Sequence, residues 1–303
     1  MRTGAPCTTP APGVSAMDGK GIAMAQKKAG SRPRTINMAL AVVLAAGMLA
    51  GLAPSAGASD SPCRVKNRTT KVVYTGSGEN LQAAIDAAVS GDSLGIMGVC
   101  VGHFTIGASL TLVGESRLEH PTPTLDGNNS GTVLRVTAAT VWLKHLTVTG
   151  GSAATKGGGI YNAGGSLTVA ESTSIMGNTA VEVGGGIYNA GGVVRLIRSA
   201  SVTGNTARAG GGIFNSFGKV ILRGWSSVTG NTAVQTSGGG IFNLGTVRLK
   251  GAASVTGNTA VTYDGGIYDS GTPPSLLQAC AGWTGAISPN TPNEPDEPQT
   301  ITC

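Results

Sequence analysis

The sequence predicts an all-β solenoid of about 27-residue, three-strand coils with a short helix capping its N-terminal end. Three observations predict it. Two short phrases recur at near-constant spacing, and a period-two apolar alternation recurs between them. Glycine supplies 49 of 303 residues, against a usual share of ~7%. Charged residues are only 12% and aromatic residues 4%, too apolar for a disordered chain and too poor in rings for an ordinary globule.

The first phrase is Gly157-Gly158-Gly159-Ile160-Tyr161-Asn162. Its copies begin at Gly184, Gly210 and Gly238, and a last copy from Gly265 ends in Asp269 instead of Asn. Its isoleucines (Ile160, Ile187, Ile213, Ile241, Ile267) step by 27, 26, 28 and 26 residues. The second phrase, Ile175-Met176-Gly177-Asn178, returns with Val202, Val228 and Val255 leading to Asn205, Asn231 and Asn258. A repeat of this length is one supersecondary unit that must stack to bury its apolar face.

Between the phrases lies the middle strand. Leu167 and Val169, Val194 and Leu196, Val220 and Leu222, Val247 and Leu249 hold one face, and mixed residues hold the other. A period of two with one constant apolar face is a half-buried strand. Stacked coils bring equivalent residues within ~4.8 Å. The columns Asn162, Asn189, Asn215, Asn243 and Asn178, Asn205, Asn231, Asn258 are therefore expected to form amide ladders.

The chain before the repeats has its own order. Residues 1–58 carry six cations against Asp18, which is +5 of the formal +6, so the remainder is nearly neutral and no nucleic-acid partner is expected. An apolar run from Met38 to Ala53 leads into Ala56-Gly57-Ala58, a small-x-small cleavage pattern. The run is shorter than the ~20 residues of a spanning helix. A secretory signal cut after Ala58 is expected, with no stable membrane span afterwards and a secreted or cell-envelope location; a membrane anchor is the alternative. Export leaves Cys63, Cys100, Cys280 and Cys303, for which local pairing (Cys63 with Cys100, Cys280 with Cys303) is favoured over four separate thiols.

Ser77 to Gly91 reads as the amphipathic capping helix, with Leu81, Ala84, Ile85 and Ala88 on one face. Leu94 to Leu112 forms a first coil. Subtracting 27 from Ile160 and Asn178 lands on Val133 and Gly151, a degenerate early coil. Pro273 and Pro274 break the pattern, so residues 59–272 read as the capped solenoid and 273–303 as a C-terminal cap or tail.

Several of these stretches carry a family resemblance. The run Asn80-Leu81-Gln82-Ala83-Ala84-Ile85-Asp86-Ala87-Ala88, then Gly91-Asp92, Gly102-His103-Phe104, Leu110 to Gly114 and Leu125-Asp126-Gly127, resembles the opening of right-handed parallel β-helix proteins of the pectin-lyase-like superfamily. The Gly-Gly-x-Ile and x-x-Gly-Asn phrases are similar to the repeats of polymorphic outer-membrane proteins, although Ile175, Val202, Val228 and Val255 stand where those repeats have phenylalanine. The resemblance covers residues 78–270 and implies a right-handed parallel β-helix. It lacks the outer-membrane barrel of those relatives, so their surface display does not carry over.

The superfamily includes polysaccharide lyases and hydrolases, which need clustered carboxylates. Between Gly127 and Tyr263 the only acids are Glu171 and Glu182, and Asp264 and Asp269 follow in the last coil. No catalytic residue, cofactor or metal site is therefore expected. Asn in the Gly-rich turns excludes a calcium β-roll, and His103, His120 and His145 share no ligand spacing. Thr206, Thr232 and Thr259 align, but Met176 interrupts a Thr-x-Thr array, which argues against ice binding.

Two outward columns remain. Tyr161, Tyr188, Phe214, Phe242 and Tyr268 offer either a platform for sugar rings or a stack that stabilises one face. Arg195, Arg223, Arg248 and Lys250 are placed to meet an anionic glycan or to form a solvated, aggregation-resisting face. The expectation is an exported, adhesin-like or envelope-associated scaffold whose partner is a cell-surface or extracellular glycan. The alternative is a carbohydrate-active enzyme using Glu182 or Asp264. The sequence leaves the oligomeric state open.

Overall fold

The computed structural model describes residues 62–76, 79–116, 122–270, 276–280, 282–287 and 290–291, with the backbone of Gln299–Ile301. The chain divides into two units, Met1–Leu52 and Ala53–Cys303. The first lies outside the described residues, as do the expected cleavage motif, His120 and Cys303.

The second unit is a parallel β-solenoid. Three sheets run along it: an 11-stranded sheet of middle strands, a 7-stranded sheet of Gly-Gly-Ile strands, and a further 11-stranded sheet built around the strands that lead into Gly-Asn. Pairing is parallel and in register, so Ile160 meets Ile187, Ile187 meets Ile213, Ile213 meets Ile241 and Ile241 meets Ile267. The same holds for Leu167, Val194, Val220 and Val247 in the middle strands. These aliphatics are fully buried and form one continuous core down the axis. After each Gly-Asn turn a short fourth strand (Thr179–Val183, Thr206–Ala209, Thr232–Ala233, Thr259–Ala260) joins the third sheet, which the alternation alone did not separate.

The glycine phrase has a steric cause. Gly184 turns the chain at φ +68, the left-handed region that disfavours a Cβ. At Gly185 a Cβ would stand 2.4 Å from the Thr206 carbonyl oxygen and 2.6 Å from that of Gly211. The coils approach too closely there for any side chain.

The N-terminal end is closed by three devices. Arg64–Asn67 pairs antiparallel with both Val73–Thr75 and Ser93–Met97, so the middle sheet finishes on a hairpin that cannot continue the parallel stack. The helix Glu79–Asp86 lays Leu81, Ala84 and Ile85 against this end. It is shorter than Ser77 to Gly91, because the Asp92 carboxylate accepts the Val89 backbone N–H at 3.1 Å and the Asn67 amide at 2.8 Å, holding residues 87–92 as a turn. Cys63 and Cys100 form a disulfide across a Cα separation of 4.6 Å and tie the first strand to the first coil. Cys280 is also disulfide-bonded; the expected partner, Cys303, is outside the described residues.

Two registers differ from the sequence arithmetic. Ile160 pairs with Leu134 and not Val133, because the early coil is one residue shorter than 27. The stacking also goes on past Thr272. Leu276–Cys280 pairs with Thr246–Gly251 and places Leu277 and Ala279 in the core columns, while Asn290 continues the asparagine column after Asn258.

Candidate ligand-binding face

Inside the coil the asparagines are committed to structure. Asn205 shows the pattern: its Nδ2 donates to the carbonyls of Ile175 (2.9 Å) and Thr203 (3.1 Å) and to Asn231 Oδ1 (2.9 Å). Its own Oδ1 accepts the backbone N–H and the side-chain amide of Asn178, both at 3.0 Å. The other ladder runs from Asn162 through Asn189, Asn215 and Asn243 to Asp269, with amide-to-oxygen distances of 2.7, 2.8, 2.7 and 2.9 Å. All eight asparagines are buried.

The aromatic column also turns inward on itself. Tyr161, Tyr188, Phe214, Phe242 and Tyr268 follow one another at centroid distances of 5.0, 5.8, 4.8 and 4.6 Å. The Arg135 guanidinium covers Tyr161 at 4.4 Å and so closes the column at its first ring. Tyr188, Phe214 and Phe242 stack face to face while the end pairs are tilted, and Tyr188 is buried against Val183 and Ala209.

The carboxylates are dispersed. Asp264 stands where the other coils have the first glycine of the phrase, in the left-handed region at φ 47 and buried. Glu182 sits beside Val183 three coils earlier, an axial offset of ~14 Å. That exceeds the ~5 to 9.5 Å of paired glycosidase carboxylates. Glu171 is bonded to Arg198. His103 lies between the Thr132 carbonyl (Nδ1, 2.9 Å) and the Ser130 hydroxyl (Nε2, 3.1 Å), and that hydroxyl donates to the Gly127 carbonyl at 2.9 Å. These contacts pin the loop holding Asn128 and Asn129, both with positive φ. No group of three or more His, Cys, Asp or Glu able to hold a metal exists among the described residues.

The middle sheet's outer face is different. Three consecutive coils each present two cations there: Arg195 and Arg198, then Lys219 and Arg223, then Arg248 and Lys250. The register puts Arg195 and Arg248 in one column, with Ile221 between them, and Arg223 in the next column at the coil between. Arg195 donates to the Ser166 hydroxyl at 2.8 Å and Arg248 to Gln278 Oε1 at 2.8 Å, neutral partners that orient the guanidinium without cancelling its charge. Glu171 is the one carboxylate among the described residues of the middle strands and their turns from Thr140 to Cys280.

The turns at the two ends of the central strand carry two exposed aromatics that the repeat did not reveal. Phe217 and Trp225 bracket the strand Lys219–Gly224 and are 67% and 77% exposed. Phe217 takes the left-handed position (φ 56) held elsewhere by Gly164 and Gly191. Trp225 follows the turn at Gly224, where the neighbouring coils have Ser199 and Ala252.

Fold and site together define a capped parallel β-solenoid with one basic outer face. No protein-family model matches the chain, and neither a curated protein nor a solved structure matches it significantly.

Proposed function

We propose that the chain is an exported, non-catalytic solenoid scaffold, adhesin-like or envelope-associated, that holds a glycan on its outer surface. A right-handed coil of the pectin-lyase-like kind, with repeats related to those of polymorphic outer-membrane proteins, belongs to this reading. The observation that supports it is the division of labour within the coil. Buried asparagines and stacked rings recur from coil to coil and bond to one another. The outward residues of the middle strands are the ones that change, from Arg195 to Ile221 to Arg248 in one column. A constant frame with a variable outer strip is the arrangement of a binding surface.

The test is retention of the mature chain, residues 59–303, on cell-wall preparations and a glycan array, with product release assayed on the same samples. Saturable retention without cleavage is the expected result. Cleavage that is lost on Glu182→Gln or Asp264→Asn would overturn it in favour of a carbohydrate-active enzyme.

A further inference from the structure

We propose that the basic outer face of the middle sheet, over the three coils from Val193 to Gly251, binds a glycan substituted with sulfate or phosphate esters. The inference rests on the scaffold reading above and names the ligand and its site. Three features of the face carry it.

The first is charge arrangement. Arg195, Arg223 and Arg248 form a zigzag across successive coils, ~4.8 Å apart along the axis, with Lys219 beside them on the central coil. Neither Arg223 nor Lys219 has a side-chain partner among the described residues, and the partners of Arg195 and Arg248 are uncharged. The second is group geometry. A tetrahedral ester directs its oxygens to several sides, so one group reaches cations on adjacent coils. A planar carboxylate holds its two oxygens in one plane, which matches a single guanidinium fork better than cations on several sides.

The third feature is independent of charge. Phe217 and Trp225 are exposed beyond the two ends of the six-residue central strand, which is itself roughly 20 Å long. Phe217 occupies a left-handed position where a bulky side chain is strained and where other coils use glycine. Both rings are largely exposed, and neither belongs to the stacked column. Rings flanking a row of cations suit a polymer whose units have an apolar ring face and an ester charge, so the glycan chain lies along the strand.

The experiment uses the mature chain and four probes: dextran sulfate, a phosphomannan, neutral dextran and polygalacturonate, with duplex DNA as a fifth, a polyanion without pyranose faces. Saturable binding of dextran sulfate or phosphomannan, weakened by salt and absent for neutral dextran, is expected. Which of the two binds tighter assigns sulfate or phosphate. The variant Arg195→Gln/Arg223→Gln/Arg248→Gln is expected to lose about ten-fold or more in affinity, and ten-fold corresponds to 1.4 kcal/mol. Trp225→Ala and Phe217→Gly are each expected to weaken the ester glycan several-fold with no fall in melting temperature. Equal affinity for polygalacturonate would overturn the ester assignment. DNA bound as tightly as the glycans, with Trp225→Ala silent, would reduce the face to unspecific charge and sink the proposal. Retention on cell walls with no binding to either ester glycan would defeat this inference and leave the scaffold standing; loss of all retention would defeat both.

Discussion

The side-chain amide of Asn162 donates to Asn189 Oδ1 at 2.7 Å, while the Oδ1 of Asn162 is buried and receives no hydrogen bond. The cause is one coil earlier, where Val136 pairs in register with Asn162 and has no amide to give. A ladder of this kind leaves its first oxygen without a donor unless the preceding coil supplies one. The second ladder avoids this, because the Gly151 backbone N–H donates to Asn178 Oδ1 at 2.9 Å.

Asn205→Ala removes a group that serves three coils, and it strands the buried backbone N–H of Asn178. Each unsatisfied buried polar group costs about 1–3 kcal/mol. We expect a loss of ~3 kcal/mol, read by chemical denaturation. An unchanged midpoint would show that the ladder contributes nothing.

Glycines in one coil differ sharply in tolerance. Gly185→Ala forces a Cβ onto two carbonyls of neighbouring segments, whereas Gly191→Ala meets nothing within 4 Å and faces only the strain of φ +71. A left-handed alanine costs about 1–2 kcal/mol, and the collision costs more. The melting temperature of Gly185→Ala should fall well below that of Gly191→Ala; equal values would refute close coil contact at Gly185.

Phe217→Gly should stabilise the protein. Relief of the left-handed phenylalanine offers about 1–2 kcal/mol, less the backbone freedom that glycine gains when unfolded. A small rise in melting temperature is the expected reading, and a clear fall would mean that the ring packs on the fold.

Asp92 predicts a pH dependence. Hydrogen bonds from the Asn67 amide, first, and the Val89 backbone N–H hold its carboxyl below the ordinary value. A depressed folded pKa gives stability that is fully present above the unfolded pKa, about 3.9, and is lost as pH falls through the folded one. Asp92→Asn should therefore lower the melting temperature at neutral pH, with the gap to wild type narrowing below about pH 4. A gap independent of pH would remove the carboxylate from the account.

Much of this fold was legible because recurrence and alternation are direct consequences of stacking. Ile160, Leu167 and Asn178 announce their places by repeating. Asn290 did not, since Pro289 replaces the glycine before it and its spacing from Asn258 is 32 residues. Leu134 was missed by one position for a similar reason, an early coil of different length. The four cations Arg195, Arg223, Arg248 and Lys250 were visible in sequence, but their zigzag needed the register. Phe217 and Trp225 were invisible to a search for repeats, because their signal is that they break one.

The carboxamides of both ladders all point the same way along the axis, each donating to the next coil. The stack is therefore vectorial, with an accepting end and a donating end. A whole extra unit spliced between two regular coils would find a donor on one side and an acceptor on the other without disturbing either terminus. Length thus becomes an adjustable property of such a chain, lengthening the outer strip by ~4.8 Å per added unit.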